Sequence, residues 1–418
     1  MKYSSFRFVL ITSLLLSTLS VQAGTNGDNL LGVGSASSAL GGTGVAAPPD
    51  ALGAITANPA TLSLLPAGQL TEVDGSLTIF VPHISASVNG LSANSNSNKI
   101  YPIPSIGIAG PIDGANGQWR YGLAIYGVSG LGVDYQGTAL DTTLAPTPFP
   151  LVAGLKTELD LLEIAPAVAY RISPDWTIGL AVDVDYGSLD LGNGARTGFG
   201  VGAQPGLTYK ATDKLTLGVT YVSPKSITYR GVTDFDGDGT LDNLKLESPQ
   251  QVKFGLGYDI IPGTLRVASD ARWVNWSGAE GYKDFGWKDS WVFGLGIQYT
   301  VIPDKLTLRG GYDYGSNPVG ADNGFNGSGA NVVNVQGKNV PTYYYETFRL
   351  IGFPAIVEQH ISVGLEYRLT SNLLVEATYT HAFSNSVSEQ GTNPLGNPVT
   401  LSSKLSEDSF DLGLRFSF

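Results

Sequence analysis

The 418-residue sequence has no cysteine and little charge. Without thiols it has neither a disulfide framework nor a thiolate metal site. Charged residues make up 14% of the chain, against about 25% in typical soluble domains. The 24 basic residues are scattered and outnumbered by 36 acidic ones, which argues against nucleic acid as a partner. After residue 24 there is no uninterrupted apolar run of about 18 residues, so a membrane-spanning helix is not predicted.

The N-terminal residues have the pattern of a secretory signal peptide. Lys2 and Arg7 precede the apolar run from Phe8 to Leu19, and Val21-Gln22-Ala23 places small residues before a cleavage site. We therefore assign residues 1–23 to a signal peptide that is removed after Ala23. The mature chain is expected to begin in the periplasm.

Residues 24–69 form a tract of small, nearly uncharged residues. Its hydrophobic residues have no regular period, so neither a strand nor a long helix is predicted. The pattern changes at about residue 70, and the remainder of the chain reads as strands. We interpret residues 24–69 as a plug, or hatch, that lies inside a barrel formed by residues 70–418.

The barrel prediction rests on alternation of period two. In one segment Ile178, Leu180, Val182 and Val184 alternate with small or polar residues, giving one apolar face. Fourteen such segments have roughly the 9–11 residues of a tilted membrane-crossing strand. They start near residues 71, 101, 118, 158, 175, 197, 213, 247, 263, 287, 304, 358, 372 and 408.

The connections between these segments alternate between short and long. A long connection over 385–406, for example, follows the short Thr370–Ser371 turn. Outer-membrane barrels have short periplasmic turns and long extracellular loops. Aromatic residues near strand ends, including Trp276 and Trp287, suit interfacial girdles. The predicted fold is therefore all-β: a transmembrane antiparallel barrel of about 14 strands in the bacterial outer membrane.

Charges of both signs fall at inward-facing positions of the predicted strands. Two interpretations remain open: the charges pair with one another across the lumen, or some of them hold the plug. Because the lining has no ladder of a single sign, ion selectivity is not predicted. The inward charges include Asp183, Asp185, Lys253, Arg266, Asp270, Arg272, Arg309, Asp313, Glu366, Arg368, Glu376, Asp411 and Arg415.

Five stretches of the sequence stand out together. They are the plug ending in Ala57-Asn58-Pro59-Ala60-Thr61-Leu62, the third strand from Trp119, Asp270-Ala-Arg-Trp-Val-Asn-Trp276, Leu308-Arg-Gly-Gly-Tyr312 and the final Phe416-Ser-Phe. In these stretches the chain resembles the FadL-type family of outer-membrane transporters for long-chain fatty acids and aromatic hydrocarbons. The resemblance implies that the plug is a hatch and that the third strand has a kink that opens the wall sideways. The ending also resembles the signal that is read by the barrel-insertion machinery.

Two sites follow from these residues. Pro59 disfavours helix at Asn58, so a short helix that begins near Asp50 should break there, at Asn58, Pro59 and Ala60. The third strand carries Gly127, Gly130 and Gly132, and glycine within a strand often marks a bulge. A bulge at these glycines would leave a gap in the barrel wall.

The predicted function is passive uptake of hydrophobic compounds, with capture at the extracellular loops, hatch rearrangement and lateral release. The alternatives are a general aqueous porin and a surface adhesin or receptor. We expect a monomer in contact with outer-membrane lipid and lipopolysaccharide, and neither an enzyme nor a required cofactor.

The connection after the fifth strand is shorter than in fatty-acid members, so an aromatic substrate is as plausible as a fatty acid. The predicted capture residues are Phe149, Leu151, Val152, Tyr344 and Phe353.

A long extracellular connection contains a calcium-like loop. Side-chain oxygens at alternate positions and a glycine at the sixth position match the calcium-binding pattern. Position 12 is Lys245 rather than glutamate, so the loop is not an EF-hand, and a solvated acidic loop is the alternative. The candidate calcium ligands are Asp234, Asp236, Asp238, Thr240 and Asp242.

Overall fold

The computed structural model describes residues 25–65, 71–112, 117–141 and 155–418. Within these ranges fourteen antiparallel strands form a closed barrel, as the sequence predicts. Each strand pairs with its neighbours in the chain, and the last pairs with the first over 401–417 and 72–88. The strands are β1 (Glu72–Val88), β2 (Tyr101–Pro111), β3 (Trp119–Asp134), β4 (Lys156–Arg171), β5 (Trp176–Asp190), β6 (Arg196–Lys210), β7 (Leu215–Val222), β8 (Gln251–Ile261), β9 (Leu265–Val274), β10 (Ser290–Ile302), β11 (Leu306–Gly315), β12 (Gln359–Arg368), β13 (Leu373–Thr392) and β14 (Pro398–Ser417).

The outer surface of the barrel is apolar because alternate side chains of each strand point outward. In β10, Trp291, Phe293, Leu295 and Ile297 are exposed, whereas Ser290 and Val292, at the alternate positions, are buried. The same division of apolar and luminal faces recurs around the sheet. It is the pattern of a barrel whose outer face is solvated by lipid.

The two ends of the barrel differ, and we call them the turn end and the long-loop end. At the long-loop end, a hairpin joins Lys225–Thr233 to Asp242–Ser248, and another joins Val332–Val335 to Lys338–Pro341. A helix, α3 (Thr342–Thr347), continues as a π-helical turn over Phe348–Gly352. Smaller elements at this end are the strands Leu91–Asn94 and Phe325–Asn326 and a 3₁₀ turn at Trp276–Gly278.

Residues 25–65, the described part of the hatch, lie inside the barrel and are almost entirely buried. Leu52, Ile55 and Leu62 of the hatch pack in one apolar cluster with luminal alanines such as Ala124 and Ala165. None of the helices in the described ranges is both long and apolar enough to cross a membrane. The hatch consists of short strands Thr25–Asn26 and Asn29–Leu30, helices α1 (Ser35–Ala39) and α2 (Ala51–Ala57), and a 3₁₀ helix at Pro59–Leu64.

Two expectations from the sequence need correction. The segment 385–406, predicted as a loop, is mostly a β-hairpin, because β13 and β14 remain paired beyond the barrel wall up to Thr392 and Pro398. The indole rings of Trp276 and Trp287 are buried and lie 5.0 Å apart, so they are not part of an interfacial girdle. They pack around Tyr282 in a loop, which period-two alternation does not describe.

Candidate functional site

The hatch breaks at Asn58, at the position that its sequence predicts. Asp50 caps the start of α2 by accepting a hydrogen bond from the Gly53 backbone N–H at 2.6 Å. Helix α2 ends at Ala57, and Pro59 then begins the 3₁₀ helix. Proline fits the first turn of a helix because its missing N–H is not needed there. The backbone at Asn58 is extended, so the two helices meet at an angle there.

The Asn58 side chain connects this junction to the rest of the molecule. Its Oδ1 accepts from the Ala60 backbone N–H at 3.1 Å. Its Nδ2 donates to the Val45 carbonyl in the hatch at 2.8 Å and to the Leu207 carbonyl on β6 at 3.2 Å. Asn58 is fully buried. One amide therefore caps the second helix, ties the hatch to itself and ties it to the barrel.

Glycines on the luminal face of the barrel let the hatch approach closely. A methyl group added at Gly206 would lie 1.9 Å from Asn58 Oδ1, and one at Gly179 would lie 2.2 Å from the Ala60 nitrogen. At Gly218 the clash would be with the Val45 carbonyl, at 2.1 Å. Sequence reasoning did not single out these glycines, although their inward position in the strand alternation was available as a signal.

Carboxylates on the barrel wall hold the backbone and side chains of the hatch. Asp270 on β9 accepts from the Gly44 and Val45 N–H groups at 2.8 and 3.0 Å. Asp313 on β11 accepts from Asn26 Nδ2 at 2.8 Å, and Glu407 on β14 accepts from the Thr25 N–H at 3.0 Å. These side chains hold the plug, which is one of the two interpretations left open by the sequence.

Near the turn end, charges pair with one another across the lumen, which is the other interpretation left open by the sequence. Arg415 lies 2.9 Å from Asp74 and 3.4 Å from the hatch residue Asp50. Arg309 contributes a second guanidinium, so two cations face five carboxylates. Burial and the neighbouring Asp74 charge together raise the pKa of Asp50 to about 7, although Arg415 acts in the opposite direction. The five carboxylates are Asp50, Glu72, Asp74, Glu366 and Glu376.

The barrel wall changes its pairing within β3. Strand β2 pairs with β3 from Pro111 to Ser105, which lies opposite Tyr126. Strand β3 nevertheless continues to Asp134, and Ser129 pairs with Asn29 of the hatch. Pro102 and Pro104 lie in β2 just where this pairing stops, and proline offers no N–H to a ladder. Beyond Tyr126, β3 has Asn29 of the hatch beside it at Ser129. Residues 95–97 of the β1–β2 connection then form hydrogen bonds to Gly132 and Asp134.

A β-bulge accompanies this change. On the other edge of β3, Gly127 pairs with Leu162 and Ser129 with Leu161, so Val128 is the extra residue. The sequence predicts an irregularity among Gly127, Gly130 and Gly132, and the bulge adjoins the first of them. Gly130 and Gly132 instead pair regularly with β4. The extra residue is thus Val128 and not one of the predicted glycines. A bulge requires an additional residue in one strand, and that residue can be other than glycine.

Among the cavities lined by described residues, two concern the passage of a ligand. The inner cavity, about 120 Å³, lies between the hatch and the wall and is lined by Tyr126, Val128, Glu163, Lys225 and Lys253 among others. The outer pocket, about 380 Å³, opens at the long-loop end. Its apolar lining consists of Leu155, Leu191, Phe235, Phe285, Val340, Tyr344, Tyr345 and Phe348.

The predicted capture residues divide into three groups. Tyr344 lines the outer pocket. Phe353 is buried beneath it, with its ring 5.2 Å from that of Phe348, so it supports the pocket rather than lining it. Phe149, Leu151 and Val152 lie outside the described residues. Phe235 and Phe285 were not predicted, because they come from separate loops, whereas Phe348 lies between the predicted residues Tyr344 and Phe353.

The calcium-like loop forms one rim of the outer pocket. Carboxylate oxygens of Asp234, Asp236 and Asp242 lie within 4.8 Å of one another, and hard oxygen donors of this kind suit calcium. Lys338 Nζ, however, lies 2.7 Å from Asp242 and 3.2 Å from Asp236. These hydrogen bonds raise the pKa of Lys338 above its usual value. An ammonium group therefore already offsets part of the negative charge of the cluster.

The other two predicted calcium ligands interact with each other. The Thr240 backbone N–H and hydroxyl both donate to Asp238, the former at 2.8 Å and the latter at 2.5 Å. Asp238 also lies 3.8 Å from Lys338. The hydroxyl-to-carboxylate bond lowers the pKa of Asp238. All five residues thus lie within residues 234–242, and carboxylates of three of them, Asp234, Asp236 and Asp242, converge.

Comparisons with known proteins agree with this architecture. Residues 14–197 match the family described as "Outer membrane protein transport protein (OMPP1/FadL/TodX)". A long-chain fatty acid transport protein of Escherichia coli O6:H1 is 24% identical over 304 residues, which span 55% of this chain and 64% of that protein.

Solved structures extend the likeness to nearly the whole chain. The Pseudomonas putida toluene transporter TodX superposes with a TM-score of 0.63 at 20% identity, covering 93% of this chain and 99% of that one. A Pseudomonas aeruginosa FadL homologue gives 0.67 at 15% identity, covering 94% and 99%. The resemblance to the FadL-type family is therefore confirmed: residues 14–197 match its sequence model, and the barrel has the fold of its solved members.

Proposed function

We propose that this chain carries hydrophobic molecules passively across the bacterial outer membrane and releases them sideways into the bilayer. The observation that carries the proposal is the end of β2–β3 pairing at Ser105 and Tyr126, with the hatch strand at Asn29 as the next neighbour of β3. A barrel with continuous pairing has no exit through its wall. Here a movement of the hatch would uncover one.

Energetics favour this route. Transfer of a hydrophobic molecule from water to hydrocarbon is favourable by a free energy of roughly 0.8 kcal/mol per methylene group. The barrier it meets is the polar lipopolysaccharide layer rather than the bilayer core. A protein that binds the molecule outside this layer and releases it below needs no energy source, and a lateral exit spares the molecule an aqueous lumen.

Capture is assigned to the outer pocket. Its volume of about 380 Å³ falls at the lower end of the usual range for small-molecule sites, about 300–1,000 Å³. Its aromatic lining suits a compact apolar ligand. The relatives named above include a fatty acid transport protein and a toluene transporter, and we propose these two substrate classes for this chain.

The hatch is the proposed gate to the lateral exit, and its dense packing argues against an open porin. Deletion of Val128 removes the bulge and restores regular pairing with β4. We expect the deletion to abolish uptake of radiolabelled toluene and palmitate by cells that lack other transporters. A folded variant that takes up both compounds at the wild-type rate would refute lateral release.

Two further variants separate capture from passage. Tyr344→Ala enlarges and weakens the outer pocket, so it should lower uptake chiefly at low substrate concentration. Ser35→Cys with Gly413→Cys joins the hatch to β14, since the two Cβ positions lie 3.1 Å apart, near the about 3.5–4.5 Å of a disulfide. Oxidation should stop uptake and reduction should restore it. Undiminished uptake by the oxidised pair would refute the hatch movement.

A further inference from the structure

The hairpin formed by Lys225–Thr233 and Asp242–Ser248, which we call the inner hairpin, folds into the barrel. It follows β7 and packs against the luminal face of β5 and β6. A methyl group added at Gly198 would lie 2.6 Å from Ile227 Cγ2, and one at Gly187 would lie 2.1 Å from the Tyr229 hydroxyl. Phe199 and Val201, between the luminal glycines of β6, face outward. The inner hairpin is therefore inside the wall.

The body of the inner hairpin is apolar and closely packed. Ile227, Tyr229 and Leu244 are between 0% and 3% exposed. They belong to one cluster with Leu159 of β4 and Leu189 of β5. Such packing fills the lumen toward the long-loop end, much as the hatch fills it toward the turn end.

An ionic latch holds the base of the inner hairpin. Lys225 Nζ forms ion pairs with Glu163 on β4 and with Asp185 on β5, the latter at 3.0 Å. Ser248, at the other end of the hairpin, donates to Asp185 at 3.3 Å. Burial acts to lower the pKa of Lys225, but the neighbouring carboxylates more than compensate and raise it. The lysine therefore remains charged while the hairpin is seated.

The inner hairpin lies between the two cavities. Residues 233–237 at its tip line the outer pocket. Lys225 at its base lines the inner cavity, together with Val222. The apolar body occupies the space between these ends. A molecule that leaves the outer pocket for the inner cavity must therefore pass along this hairpin or displace it.

The latch also contacts the irregular part of the wall. Glu163 accepts a hydrogen bond from the Tyr126 hydroxyl as well as the ion pair from Lys225. Tyr126 is the last residue of β3 that pairs with β2, and Val128 follows two positions later. One carboxylate thus joins the base of the inner hairpin to the strand at which the wall pairing ends.

We infer that the inner hairpin is a second gate, in series with the hatch, and that Lys225 is the positioning residue that holds it closed. Displacement of the hairpin connects the outer pocket with the inner cavity. Release of Lys225 from Glu163 also frees Tyr126 and loosens β3 beside the wall gap. This inference rests on the proposed function for what passes, but the latch itself is testable without any substrate.

The first test locks the hairpin. Because the chain has no native cysteine, Gly198→Cys with Ile227→Cys introduces a single thiol pair, and the two single variants are the controls. Oxidation, verified by mass spectrometry, should reduce uptake of toluene and palmitate at least tenfold, and reduction should restore it. Equal uptake by the oxidised and reduced pair overturns the gate. Absence of uptake by the wild type as well would instead contradict the proposed function.

The second test needs no transport. Lys225→Met removes the cation and leaves Glu163 and Asp185 buried without it, which strongly favours release of the hairpin. Hydrogen exchange should become at least tenfold faster over residues 225–248 and 126–129, and Lys225→Arg should restore protection. Lys210→Met, which removes an exposed pair with Asp213, is the surface control. Unchanged exchange in folded Lys225→Met overturns the inference.

Discussion

Asn58→Ala provides the sharpest test of how the hatch is held. The substitution removes the donors to the Val45 and Leu207 carbonyls and the acceptor for the Ala60 N–H. It adds no bulk and leaves Pro59 in place. Gly206→Ala reaches the same contact from the barrel side, since its methyl group would lie 1.9 Å from Asn58 Oδ1. Both variants should therefore weaken docking of the hatch.

The size of the effect follows from the three lost hydrogen bonds. At about 1 kcal/mol net for each, with buried carbonyls left unpaired, docking should weaken by about 3 kcal/mol. Since 1.4 kcal/mol corresponds to a factor of ten, the ratio of docked to undocked hatch should fall by about two orders of magnitude. The barrel strands do not depend on this residue and should keep their stability.

Hydrogen exchange in detergent or bilayer discs measures the ratio of docked to undocked hatch directly. Amides of α2 and the 3₁₀ helix at Pro59–Leu64 should lose about 100-fold of their protection, whereas amides of β10 should be unaffected. Asn372→Ala is the matched control, because its amide donates to the Ser417 carbonyl in a turn remote from the hatch. Loss of protection by less than about threefold would refute the assigned role of Asn58.

The remaining predictions concern charge. Because burial raises the pKa of Asp50 to about 7, above about 4 in an exposed carboxyl, hatch docking should weaken as pH rises from about 4 to 7. Asp50→Asn keeps the helix cap and should remove this slope in hydrogen exchange; an unchanged slope contradicts the assignment. For the calcium-like loop, we propose that Ca²⁺ competes with Lys338, so Lys338→Met should tighten binding in calorimetry and Asp236→Ala should abolish it. Absence of binding heat in both wild type and Lys338→Met excludes the site.

The barrel could be predicted from the sequence because it depends on a local rule. Period-two alternation specifies which side chains face lipid, and the alternation of connection lengths specifies which end carries the loops. The fourteen strands lie close to the predicted positions, and β14 begins early because its hairpin extends beyond the membrane band. The break at Asn58 was also predictable, since the restriction that proline places on its predecessor is local.

The contacts between distant segments could not be predicted in this way. Strand alternation does not show that Gly206 accommodates Asn58 or that Asp270 holds the Gly44 backbone, because both contacts join the hatch to strands more than 140 residues away. The outer pocket likewise gathers aromatic rings from separate loops. The inner hairpin could not be predicted from the sequence for the same reason. Lys225 forms its buried ion pairs only when β4 and β5 place Glu163 and Asp185 beside it.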